Sequence, residues 1–144
     1  MFIINNSEDL CTEAALSSLP EIPSNEITML YYNGYYDGPL DGMCTFKEKN
    51  YYYQVVEESM WNGPIMNIGA WRYFLIALTP EQEEEEKRSQ VLCENSNRSI
   101  SDYKACKIYH DNKHQHPVTL KQEQLVGWFF DDNVIYRKEM YDRK

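Results

Sequence analysis

The spacing of apolar residues changes repeatedly along this chain, and each change marks an element. Glu8 to Leu19 reads as a short helix, with Asn6 or Ser7 as cap, Glu8 and Asp9 in the first turn, and Leu10, Ala14 and Leu16 as the residues offered to a core. Pro20 ends that helix, and Pro23 keeps the next segment extended. Residues 1–25 are thus a helical and extended lead-in. Ile27–Tyr36 is β-branched and aromatic and predicts a strand, with Asn33-Gly34 as a bulge or local turn. Asp37-Gly38-Pro39 and Asp41-Gly42 follow as closely spaced turn signals. Met43–Phe46, a polar loop over Lys47–Asn50 and Tyr51–Glu57 together predict a hairpin. Side chains alternate along a strand, so Tyr51, Tyr53 and Val55 share one face and Tyr52, Gln54 and Val56 the other. The second face is the more polar and is expected to be exposed.

After a loop containing Asn62-Gly63-Pro64, the run WRYFLIAL from Trp71 to Leu78 is almost continuously apolar, with Arg72 its one charge. That pattern predicts a strand buried on both faces. Thr79-Pro80-Glu81-Gln82 is a helix start: Thr79 caps, Pro80 takes the first helical position and Gln82 closes a capping box. Glu81 and Glu83–Glu86 load the positive end of this helix. Only Val91 and Leu92 offer apolar contact, so the helix is expected to be mostly solvated. Asn95–Ser101 is a polar loop, and Asp102–His110 suits a helix or a strand equally. Leu125–Phe130 and Val134–Lys138 flank Asp131-Asp132-Asn133 and read as a hairpin. Residues 139–144 form a tail expected to fray. The sum is one α+β domain over residues 1–144, an antiparallel sheet of about five to six strands with two or three helices.

Composition adds a bias toward binding. Of the twelve tyrosines, Tyr31, Tyr32, Tyr35, Tyr36, Tyr51, Tyr52 and Tyr53 fall within one short stretch. A sheet with tyrosine on both faces is either covered on both or displays phenol rings to a partner. The formal charge is −9 over 144 residues, and residues 1–46 contain no Lys or Arg. An acidic field repels phosphate backbones, so direct nucleic-acid binding is disfavoured. It attracts a basic protein surface and raises the encounter rate. No segment approaches the roughly 18 apolar residues of a membrane span. MFIINNSEDL lacks the basic start of a secretory signal. Cys11, Cys44, Cys93 and Cys106 include no C-x-x-C pair, so free thiols in a reducing cytoplasm are the expectation.

The run Tyr36-Asp37-Gly38-Pro39-Leu40-Asp41-Gly42, the later Arg72-Tyr73-Phe74 leading to Leu78-Thr79-Pro80-Glu81, and Val126-Gly127-Trp128-Phe129 recur together in a recognisable order. In these short motifs the chain resembles a group of small uncharacterised bacterial proteins, over most of residues 30–130. The resemblance implies a topology and transfers no activity and no site residues.

Signals for chemistry are weak. Cys106, His110 and His114 would stack on one helix face, with His116 close by, and thiolate and imidazole are zinc ligands. Their spacing matches no standard zinc pattern, and Asp111, Asn112 and Pro117 favour a surface loop. No G-x-S-x-G, G-x-x-x-x-G-K-[ST] or G-x-G-x-x-G occurs. Asp37 and Asp41 have a sufficient reason to be there as turn residues. Arg72, alone in an apolar strand, requires an acidic partner or binds an anion.

Two readings follow, with no cofactor expected in either. In the first, the protein is a non-catalytic binding module, immunity- or inhibitor-like, meeting a basic protein through a surface that includes Tyr31, Tyr35, Asp37, Asp41, Tyr52, Trp61, Arg72 and Trp128. In the second, a small enzyme or ligand-binding protein uses a pocket of Tyr35, Trp61, Trp71 and Trp128, with Arg72 clamping an anion. Mimicry of DNA by the acidic run at residues 81–86 is a distant third. A Tyr-rich edge strand also offers pairing to a second copy.

Overall fold

The Tyr-rich stretch folds as three consecutive antiparallel strands, β2 (Ile27–Tyr35), β3 (Pro39–Phe46) and β4 (Lys49–Val55). A computed structural model describes residues 3–4, 18–35, 39–56, 71–95, 104, 107–108 and 119–138. The other described elements are β1 (Ile3–Ile4), β5 (Arg72–Ile76), α1 (Pro80–Asn95), β6 (Thr119–Leu120), β7 (Leu125–Phe130) and β8 (Ile135–Tyr136). The predicted Glu8 cap region and Asp37 turn lie outside the described residues, as does the frayed tail.

The main sheet has six strands in the order β7-β5-β4-β3-β2-β8. All its pairings are antiparallel except β2 with β8. The fold is thus α+β with a mixed sheet rather than a purely antiparallel one. Among the described residues α1 is the single long helix, where two or three were expected; Lys104, Lys107 and Ile108 are helical but exposed. A small parallel pair joins β1 to β6.

Several local expectations hold for the reasons given. β5 is buried at every position. The bulge falls at Asn33, because Tyr32 pairs with Gly42 and Gly34 with Asp41. The capping box forms as read: Gln82 N donates to Thr79 Oγ1 at 3.3 Å, and Thr79 N donates to Gln82 Oε1 at 3.0 Å.

Others are corrected. Asp41-Gly42 is no turn; it lies within β3. Gly42 is required by close approach, since a Cβ there would sit 2.0 Å from the Tyr31 carbonyl oxygen and 2.8 Å from the Tyr53 hydroxyl. That hydroxyl donates to the Tyr31 carbonyl at 2.9 Å, across the top of the glycine. The β3–β4 loop is shorter than predicted, with Phe46 paired to Lys49. Lys47 and Glu48 form its tip at φ 51° and 66°, the left-handed pair a two-residue hairpin demands.

The largest correction concerns the last two strands. β7 and β8 do not form a hairpin; they lie at opposite ends of the sheet order. In a flat sheet, five strand spacings of about 4.8 Å would separate them by about 24 Å. The link from Phe130 to Ile135 spans at most about 18 Å when fully extended. The sheet must therefore curl until its two ends approach. One apolar cluster joins Phe129 of β7, Val134 of the link and Met29 of β2, together with Cys44, Tyr53, Tyr73 and Leu75. That cluster fills the inside of the curl.

The link is tied down at both sides. Trp71 N donates to Asp131 Oδ1 at 2.9 Å, and Asp131 N donates to the Trp71 carbonyl at 3.0 Å. Ser24 Oγ donates to Asp132 Oδ1 at 3.1 Å. The outer edge of β7 is covered by the segment before β2: Ile22 N donates to the Trp128 carbonyl at 2.7 Å, and Trp128 N to the Pro20 carbonyl at 3.1 Å. At the other end, β8 pairs only with Thr28 and Met29 of β2. Inside the curl, Tyr73 stacks on Phe129 at 5.5 Å and meets Tyr53 edge-on at 5.5 Å. Burial there pushes the Tyr53 hydroxyl and the Cys44 thiol well up from their ordinary values.

Two outcomes are expected. Gly42→Ala destabilises the fold by about 1–3 kcal/mol or more, because a methyl group there collides with backbone that cannot rotate away; chemical denaturation measures it. Asp131 has its carboxyl raised above the ordinary 3.8, chiefly by burial and against the Trp71 hydrogen bond. The folded chain thus holds this proton more tightly than the unfolded chain, and stability falls as pH rises just above that value. Asp131→Asn keeps an acceptor for Trp71 and removes the charge. The variant-minus-parent difference in Tm is expected to shift in the variant's favour between about pH 3 and pH 6; a difference flat with pH refutes the assignment.

Candidate functional site

The outer face of the sheet carries the residues that matter next. Asp41 on β3 pairs with Gln54 on β4, Gln54 with Phe74 on β5, and Phe74 with Trp128 on β7. One row below, Tyr31, Met43, Tyr52 and Ile76 align in the same way. This face buries a second apolar cluster, including Met43, Tyr52, Val56, Phe74, Ile76 and Leu120. It was expected to be the exposed face. Tyr52 and Val56 are instead fully buried, in one cluster with Leu120, against which Leu19 and Leu78 also pack.

Among the described side chains of α1, the buried ones are Glu86, 1% exposed, and Ser89, 3% exposed, while apolar Val91 is 54% exposed. Val91 thus makes no such contact, while Leu92 is half-buried; most described side chains of the helix are exposed or half-exposed, as the sequence led one to expect. Its contacts are polar. Asn33 Nδ2 donates to Glu86 Oε1 at 2.7 Å and to Asp41 Oδ2 at 3.3 Å. Tyr52 Oη donates to the same Asp41 oxygen at 2.6 Å. At the start of α1, Gln124 Nε2 donates to Gln82 Oε1 at 2.6 Å and to the Ala77 carbonyl at 2.9 Å. The bulge in β2 is what supplies Asn33: the extra residue re-aims its amide at the helix.

Beside this network lies a cleft of about 90 Å³ lined by Leu30, Tyr31, Met43, Asn50, Glu83, Glu86 and Lys87. Its walls come from β2, β3, β4 and α1. Lys87 Nζ is 3.7 Å from Glu84 Oε1, an ion pair with both side chains mostly exposed. Glu85 and Arg88 pair similarly at 3.1 Å. Exposed pairs of this kind contribute little to stability.

The predicted site residues are divided by the structure. Tyr31 lines the cleft, and Asp41 and Tyr52 form its buried support. Neither of the latter two is a surface contact. Arg72 and Trp128 form a separate pair, the guanidinium 5.4 Å from the Trp128 ring centre and Arg72 7% exposed. Tyr35 lies in β2 with its side chain outside the description, and Asp37 and Trp61 lie outside it altogether. So do Cys106, His110, His114 and His116; among the described residues no group of three His, Cys, Asp or Glu is placed to hold a metal. No described helix is long and apolar enough to cross a membrane. Asn33, Glu86 and Gln124 were not singled out from sequence. Only the Asn33-Gly34 bulge signal pointed at one of them.

No family model, curated protein or solved structure significantly matches this chain.

Asn33 serves two buried carboxyl groups at once, so its loss costs more than one surface hydrogen bond. Asn33→Ala is expected to lower stability by about 1–3 kcal/mol, the range for leaving buried acceptors short of a donor. Tyr52→Phe is expected to fall in the same range. The double variant should lose less than the sum, with a coupling of at least about 0.5 kcal/mol. Urea unfolding of the four proteins gives the answer directly.

Proposed function

We propose that this protein is a non-catalytic binding module, immunity- or inhibitor-like, that engages a basic protein through α1 and β2. One observation carries the reading. The acidic helix and the Tyr-dense strand, far apart in sequence, meet along a single cleft where Glu83 and Glu86 face Leu30 and Tyr31. Around it, α1 presents exposed Glu81 and Glu84, and β2 and β3 contribute no cation. Aromatic side chains at the centre with charges at the rim are the usual division of labour in a protein interface. The charges steer encounter, and the rings and apolar side chains supply contact area.

The runner-up, an enzyme or ligand-binding pocket built on Arg72, rests on the Arg72–Trp128 pair. Arg72 is 7% exposed, with its guanidinium against the Trp128 ring. The cleft described above does not include Arg72.

Capture from native lysate on the immobilised protein, read by mass spectrometry, tests the proposal. The screening length falls from about 10 Å to about 3 Å between 0.1 M and 1 M salt. One near-stoichiometric basic protein is expected at the lower salt and is expected to be lost at the higher. Reversing Glu81, Glu84 and Glu85 to Lys should weaken that complex by at least about tenfold, mainly through association rate. A complex indifferent to salt and to charge reversal would remove the basis of the reading.

A further inference from the structure

We infer that the cleft between α1, β2 and β3 receives one lysine side chain from the basic partner. The inference rests on the binding-module reading and names the contact at its centre. Size decides the class of occupant first. At about 90 Å³ the cleft is well below the roughly 300–1,000 Å³ of small-molecule and cofactor sites. A single extended side chain is the scale that fits.

Chemistry then selects among side chains. Leu30, Tyr31 and Met43 form apolar walls, and Met43 adapts its shape to a neighbour with little penalty. Such walls suit the four-carbon stem of lysine, which buries its methylenes while its head seeks polar partners. The head would meet Glu83, half-exposed on α1, with Asn50 also on the wall; Glu86, 1% exposed, lies at the back of the lining one turn on. Glu86 is held in place by the Asn33 amide at 2.7 Å and acts as a buried carboxyl group at the back of the cleft wall rather than as a contact. A compact ammonium on a slender stem suits a cleft of this small volume, whereas a guanidinium carries a broader planar fork. The cation already present, Lys87, places its ammonium at Glu84 and contributes to the cleft lining.

The probe is Nα-acetyl-lysine methylamide, followed by two-dimensional amide NMR on the full chain. Norleucine and arginine derivatives of the same form are the controls. The lysine probe is expected to shift the amides of Leu30, Tyr31, Met43, Glu83 and Glu86 in a saturable way, and the norleucine probe is expected not to. Glu83→Gln keeps side-chain volume and should weaken the lysine probe about tenfold, the loss of one charge-assisted contact. Lys87→Ala, which removes a competing positive charge, should tighten it. Glu86 is left unaltered because it is buried and structural.

Shifts of equal size with norleucine, or tighter binding of the arginine probe, overturn the inference. So does an absence of shifts in the cleft. If the cleft stays silent while the salt-sensitive complex with a basic protein stands, the binding-module reading survives and this contact does not. If the lysine probe saturates but no basic protein is captured, the cleft assignment stands and the partner reading fails.

Discussion

The length of one short connection governs this fold. Phe130 and Ile135 are separated by too few residues to cross a flat six-stranded sheet, yet their strands occupy its two ends. Curling is the geometric solution, and it creates an inside. The aromatic packing on that inside then follows from filling it: Tyr53, Tyr73 and Phe129 stack and abut at 5.5 Å, and the two tyrosine hydroxyls find backbone carbonyls. Tyr73 donates to the Pro39 carbonyl at 2.7 Å, and Tyr53 to the Tyr31 carbonyl at 2.9 Å. A buried hydroxyl without a partner is expensive, so each ring lies where a strand offers an acceptor. Gly42 is the opening that lets Tyr53 reach its own.

The curl also determines what the outer face needs. A convex surface with Met43, Tyr52, Phe74 and Ile76 on it must be covered; Leu120 packs there, and α1 meets the sheet beside it at Asn33. Among its described side chains the helix buries a carboxyl and a hydroxyl group rather than an apolar stripe. Its hold depends on matched partners: Asn33 at one point and Gln124 at another. Such a network is specific because each member has a defined direction, and it leaves little tolerance for loss of any one donor.

That arrangement places the cleft and the buried polar network side by side. Glu86 belongs to the buried network and also to the cleft wall. Asp41 and Tyr52 stand behind it and set its surroundings. Tyr31 is the ring that the strand offers toward the cleft. The acidic character of the helix, which local capping and dipole effects already favour, here coincides with the apolar opening beside it.

Local chemistry made much of this legible from the chain alone. The capping box at Thr79 and Gln82, the buried run from Arg72 to Ile76, the strand at Ile27 and the bulge at Asn33 depend on residues close in sequence, and each formed as read. The errors share a different origin. Asp41-Gly42 carries turn chemistry, but cross-strand pairing and the approach of the Tyr31 carbonyl hold it in β3. Asp131-Asp132-Asn133 looks like a hairpin tip, but its carboxyl groups bind Trp71 and Ser24, far away along the chain. Glu86 reads as one more solvated acid until Asn33 arrives to receive it. Sequence determined the elements, the charge and the wealth of tyrosine, because propensity and capping act over a few residues. Tertiary structure alone decided which face is inside, which acid is buried and where the cleft lies, because those depend on partners brought together only when the sheet curls.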